Sequence, residues 1–242
     1  VNESVAKGPV RFVAVTADDG EVIGYAWADD AAAAVDWMDR KASSRSAYEA
    51  SLDWWRKVKE HQELGLAPRA VLAELSQHPA VGPVTGAPSK AAVEELAAIV
   101  TPADDRRLLA QLRQDDSAAW EELADAFDTL TEEDRRIGRG GGQELREGVY
   151  HVFFPVYSTA LMRAVTALAG VGAVTPEHRW MGQYMPELPP DGRLHPADAV
   201  RAATAVVRGE RFCDGTIADA VKSGLFDAIG ESLRLWYRDS AQ

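Results

Sequence analysis

Apolar positions alternate with period two only near the start of the chain and follow helical spacing through most of the rest. Across residues 11–27, two β-prone runs flank Asp19-Gly20, the strongest short-range signal for a hairpin turn. A two-residue turn there predicts that Phe12 faces Trp27, Ala14 faces Tyr25 and Thr16 faces Ile23. One face is then aromatic, and the other carries Val13, Val15 and Val22 with the small Gly24 and Ala26. A hairpin alone is marginal in water, so it must pack on helices. Residues 31–40 are alanine-rich, with Val35, Trp37 and Met38, and read as the first of these. Residues 46–64 put Tyr48, Leu52 and Trp55 on one helical stripe that Gly65 ends. Pro68 opens another helix, with Val71, Leu72 and Leu75 as its apolar side.

Pro79, Gly82, Pro83, Gly86 and Pro88 then interrupt every period, which reads as a linker with a short helix at 90–99. Beyond Pro102 helical spacing returns, first from Asp104 to Arg113, then at Trp120, Leu123 and Phe127. Thr131 with Asp134 has capping-box spacing. The glycine-rich 138–142 reads as a mobile loop and Val149 to Phe154 as a short strand. Tyr157, Leu161, Val165 and Leu168 mark another helix. A long irregular stretch, 174–194, carries Trp180, Met181, Tyr184 and Met185, and loops of that length are usually functional or mobile. Helices at 196–208, 216–223 and 225–238 close the chain. The pattern predicts a mainly α protein. A small β-hairpin-plus-helices module (10–78) is joined by a linker (79–102) to a larger helical C-terminal domain (103–240).

Composition narrows the function classes. The 242 residues carry a net charge of −12. Residues 1–103 hold 10 Lys/Arg against 15 Asp/Glu, and 104–242 hold 16 against 23. Neither half has the cationic footprint of a nucleic-acid binder. No long apolar run or charged leader is visible, so neither membrane insertion nor secretion is expected. Cys213 is the single cysteine, which excludes an internal disulfide and fits a reducing cytoplasm. It reads as a buried, inert thiol rather than a nucleophile served by Glu210 or His195.

The densest polar chemistry is Arg208-Gly209-Glu210-Arg211-Phe212, followed by Asp214-Gly215-Thr216. Arg201, Thr204 and Arg208 share one face of the preceding helix, and Gly209 is placed to end it. Thr216 with Asp219 resembles a capping box for the next helix, whose free N-terminus suits an anion. Three readings stay open. In the first, Glu210 pairs with an arginine and Phe212 plugs the core. In the second, Arg201, Arg208 and Arg211, with Thr216 and the loop residue Trp180, hold a phosphate or carboxylate. In the third, Glu210 is a general base in an enzyme on an anionic substrate.

No cofactor fingerprint, metal-ligand spacing or nucleophile motif is present. His178 and His195 flank the long loop, with Glu177 and Asp191 near them.

With Trp180 and the closing Leu235-Trp236-Tyr237, this C-terminal part resembles the domain of unknown function 6508 family of bacteria and archaea. That resemblance implies a relative and transfers no activity or catalytic residue. Residues 1–100 carry no such likeness. The expectation is a cytoplasmic binding or regulatory protein. The N-terminal module would meet a partner protein, and the C-terminal one would be a scaffold or a sensor of a small anion. The alternatives are an enzyme and a structural subunit of a larger assembly.

Overall fold

Strands β1 (Val10–Thr16) and β2 (Val22–Asp29) pair antiparallel, with Phe12 opposite Trp27 and Ala14 opposite Tyr25 as the spacing predicts. The turn is one residue longer than a two-residue hairpin. Ala17 N–H donates to the Glu21 carbonyl, Gly20 N–H donates to the Ala17 carbonyl, and Gly20 sits at φ 84°. This left-handed third loop position produces a bulge, so Thr16 faces Val22 instead of Ile23. Because side chains alternate, the extra residue exchanges the two faces: Ile23 joins the valine side and Val22 the aromatic side.

The chain is described by a computed structural model at residues 5–150, 152–181 and 186–240. It divides into two units, Val1–Asp104 and Asp105–Gln242.

In the first unit, β3 (Ala34–Asp39) occupies the segment expected as a helix at 31–40. The alanines there form a turn, with Ala33 at φ 49°, and the following residues pair with β2. Helix α1 (Arg45–Glu63) begins at Ser44, whose hydroxyl accepts from Ala47 N–H. Its buried stripe is Ala47, Ser51, Trp54 and Val58, while Leu52 and Trp55 of the expected stripe are exposed. The smaller face lies flat on a sheet, which explains the preference. Then come α2 (Pro68–Leu75), β4 (Thr85–Ala87) and α3 (Lys90–Ala98). Residues 79–102, expected as a linker with a short helix at 90–99, supply that helix as α3 and an edge strand that was not expected. The sheet order is β3-β2-β1-β4. Its valine face packs on α1 and α2, and its aromatic face on Val93 and Ala97 of α3.

A buried ion pair closes this unit. Arg40, beside β3, donates to both carboxylate oxygens of Asp104 and to the Ile99 carbonyl. Thr101 donates to Asp104 through its N–H and its hydroxyl, a capping box at the start of α4 (Pro102–Leu109).

The second unit continues with α5 (Ser117–Asp128) and four short strands. These are β5 (Gly138–Gly140), β6 (Glu144–Arg146), β7 (Val149–Tyr150) and β8 (Phe154–Val156). Helices α6 (Thr159–Gly170), α7 (Pro196–Gly209), α8 (Thr216–Lys222) and α9 (Leu225–Ser240) follow. The glycine-rich 138–142, expected as a loop, contributes β5, which pairs with β8. Thr131 and Asp134 make the reciprocal bonds of a capping box, yet the chain runs on as turns toward β5. Helices α5 to α9 share one core around Leu123, Leu161, Leu168, Phe226 and Ile229. Gly230 of α9 lies where a Cβ would fall 2.4 Å from the Phe127 ring, and Trp120 stacks on Tyr237 at 4.4 Å, so α5 and α9 run antiparallel.

The architecture is mixed α/β, 46% helix and 14% strand, rather than mainly α as expected. Propensity misses the strands because the third sheet strand follows an alanine run and the fourth lies among prolines and glycines.

Asp104 yields a testable consequence. Burial pushes its carboxyl up, but the Arg40 guanidinium and the Thr101 donors outweigh this and hold it below the usual range. A carboxylate lowered by folding contributes stability above its unfolded pKa of about 3.9, and that stability is lost as pH falls through the folded value. Asp104→Asn should therefore flatten the acid limb of the stability profile. At neutral pH it should cost about 3–5 kcal/mol in urea unfolding, the range for breaking a buried pair.

Candidate functional site

Helix α7 is buried almost throughout, because Ala197, Ala199, Ala202, Ala203 and Val206 leave room for close neighbours. Two polar side chains are buried with them. Arg201 is 8% exposed and donates to Asp105 at 2.7 Å and to Asp198 at 2.8 Å. Thr204 is fully buried; its hydroxyl accepts from Thr175 N–H and donates to the Ala173 carbonyl, both at 3.1 Å. Arg201 and Thr204 thus fasten α7 to neighbouring chain. His178 is buried near this cluster. Burial, with a smaller contribution from the charge of Arg201, pushes its imidazole down to about 4, so it is neutral at pH 7.

The helix does not stop at Arg208, as the glycine after it suggests. Gly209 is its last residue, packed closely enough that a Cβ there would meet the Thr216 methyl at 3.2 Å. Tight turns follow, in which Phe212 and Cys213 N–H both donate to the Gly209 carbonyl at 2.9 Å. Gly215, at φ 102°, then opens α8 with no side-chain cap of its own.

The missing cap comes from Glu210. One carboxylate oxygen accepts from Gly215 N–H at 3.0 Å and the other from Ile217 N–H at 2.8 Å. The Tyr157 hydroxyl donates to the first of these oxygens at 2.6 Å. The helix N-terminus that asks for an anion is filled by the chain's own carboxylate. Thr216, expected to cap with Asp219, instead donates its hydroxyl to the Cys213 carbonyl at 2.9 Å.

This ring fixes what faces outward. Arg211 is exposed, Phe212 is 70% exposed, and Cys213, expected as buried, is exposed too. Phe212 therefore plugs no core. Its ring lies 5.6 Å from that of Trp180, tilted by 43°. Arg208 is half-buried, and neither it nor Arg211 has an ion-pair partner among the described residues.

Of the sequence candidates, Glu210, Thr216, Trp180 and Phe212 come together around one loop, while Arg201 is engaged with Asp105 and Asp198. Tyr157 was legible only as an apolar helix position; its hydroxyl gave no signal. Tyr184 and Met185 lie outside the described residues. His195 caps α7, its ring nitrogen accepting from Ala197 N–H. Among the described residues, no group of three or more His, Cys, Asp or Glu side chains is placed to hold a metal ion.

The sequence model of a family of unknown function, DUF6508, matches residues 116–239, just over half of the chain and all within the second unit. The chain belongs to this family. No curated protein and no solved structure matches it. The Glu210 ring, the Trp180–Phe212 contact and the α7 polar cluster all fall inside the DUF6508 region, except for Asp105. No helix is long and apolar enough to cross a membrane among the described residues.

Tyr157 offers a direct check on this geometry. Burial first, then the Glu210 carboxylate, raises its phenol well above the ordinary value of about 10. In an ultraviolet pH titration of the native protein, Tyr157→Phe should leave the ionisation step near pH 10 unchanged. A loss of amplitude in that step would mean that the hydroxyl is not held as described.

Proposed function

We propose that this protein acts by binding a partner protein through the exposed loop of its second unit. The observation that carries the reading is the division of labour within Arg208–Phe212. Both oxygens of Glu210 accept hydrogen bonds within the chain, and the ring it closes carries Phe212 outward against Trp180 with Arg211 beside it in sequence. An aromatic residue held in a fixed position in water loses little further freedom on docking, and aromatic and arginine side chains are the usual anchors of interfaces. The partner that fits offers an apolar recess flanked by a carboxylate. A cytoplasmic, bacterial setting accords with the single cysteine and the family resemblance.

The engagement of Glu210 also weakens the alternatives. A general base needs a free oxygen near substrate, and both Glu210 oxygens already accept hydrogen bonds. An anion seated on α8 would have to displace the same carboxylate. On the first unit, Tyr25, Trp27 and Trp54 are buried, which leaves Trp55 as the exposed aromatic of α1.

The test uses Phe212→Ala and Arg211→Ala. Both side chains are exposed, so urea unfolding should shift by no more than about 0.5 kcal/mol. Wild type and both variants are then compared as baits in extract of the producing cell. The reading expects a protein retained by wild type and lost from both variants. Identical retention by all three baits would overturn it.

A further inference from the structure

A separate feature of the second unit is a cleft of about 320 Å³ between the β5–β8 ribbon and α8. Ile137, Phe153, Phe154 and Pro155 form its apolar side, and Asp214, Ala218, Asp219 and Lys222 its other side. The aromatic wall is built rather than incidental. Gly140 has no Cβ, and one placed there would fall 2.5 Å from the Phe154 ring, so bare backbone lets the ring lie against the strand. The Arg139 guanidinium lies 5.0 Å over the Phe153 ring, a cation–π contact at the same wall.

The charges of this cleft are unbalanced in an informative way. Lys222 and Asp219 approach each other at 3.7 Å. Arg139 and Asp214 line the same cleft, but neither has an ion-pair partner among the described residues, including the other. A free guanidinium and a free carboxylate therefore share one small recess with two phenyl rings. A ligand that satisfies all of these groups carries an anion, a cation and an apolar body within a small volume. At the lower end of the usual range for ligand sites, the cleft suits a small molecule.

We propose that this cleft binds a free α-amino acid with an apolar or aromatic side chain. The ligand carboxylate takes the Arg139 fork, its ammonium meets Asp214, and its side chain lies against Phe153 and Phe154. The pairing is charge-assisted at both ends, and neither end alone distinguishes the ligand from a simple anion or amine. The site is independent of Phe212 and does not use the N-terminus of α8, which Glu210 already fills.

Titration of the full chain with L-phenylalanine, followed by NMR or calorimetry, tests this. N-acetyl-L-phenylalanine lacks the cation and L-phenylalaninamide lacks the anion. Each should bind at least about tenfold more weakly than the parent, the loss expected for one charge-assisted hydrogen bond. Arg139→Gln and Asp214→Asn should each weaken L-phenylalanine by a similar factor. Circular dichroism and urea unfolding check that both variants fold. Asp214→Asn should also abolish the preference for the parent over its N-acetyl form. The proposal is overturned if L-phenylalanine, L-leucine and L-tryptophan all fail to bind at millimolar concentration. It is equally overturned if binding is indifferent to the blocked derivatives or to both substitutions.

Discussion

A short helix whose first N–H groups have no side-chain cap is a liability, and in the second unit that liability is met by Glu210. Its carboxylate reaches five residues ahead to Gly215 and seven ahead to Ile217, and it is held from behind by the Tyr157 hydroxyl. One ionised side chain thereby joins the end of α7, the start of α8 and the entry to α6. Hydrogen bonds to a charged acceptor are worth about 1.5–3 kcal/mol each, against about 1 for a neutral pair. The turns between Glu210 and Gly215 are closed locally by the Gly209 carbonyl and by the Thr216 hydroxyl on the Cys213 carbonyl, and the carboxylate ties them to α8 and to Tyr157. The exposed side chains of this junction therefore sit on a loop that the carboxylate fastens at its far end.

The density of the polar run follows from this anchor. At Gly209 a Cβ would press on the Thr216 methyl at 3.2 Å, so a larger residue would need the threonine to shift by a few tenths of an ångström. Gly215 must be glycine because its φ is 102°. Arg211 and Phe212 lie on the short arc between them and have nowhere to go but into solvent. The first unit is organised differently. There Arg40 and Asp104 form a buried pair, and the sheet is covered on both faces by helices. Each unit thus relies on one carboxylate-centred arrangement, buried and made with a guanidinium in the first, half-buried and made with backbone N–H groups in the second.

Much of the helical architecture was legible from apolar spacing, and the hairpin pairing could be read as far as Val15. The failures have physical causes. One left-handed glycine added a residue to the turn and reversed the parity of Val22 and Ile23. In α1 the bulkiest stripe, Tyr48 with Leu52 and Trp55, looked like the core face. A helix lying on a flat sheet instead buried Ala47 and Ser51. The alanines before β3 suggested a helix because propensity cannot see that β2 offers an unpaired edge. At the candidate site, the demand for an anion at α8 was legible from the local sequence. Its source was not, because partners five, seven and 53 residues away leave no periodic trace. An acidic residue shortly before a glycine-started helix is the signal that would have found it.

Amide hydrogen exchange at Gly215 and Ile217, compared between wild type and Glu210→Ala, reads the hold of this carboxylate on α8. Ile217 N–H is among the first donors of α8 and has no intrahelical acceptor, so any protection it shows must come from outside the helix. Both amides should be protected in wild type. In the variant both should exchange about ten- to a hundredfold faster, while amides in the middle of α9 change far less. Equal protection of Gly215 and Ile217 in the two proteins would contradict that hold, because the carboxylate would then not be the group that holds the loop.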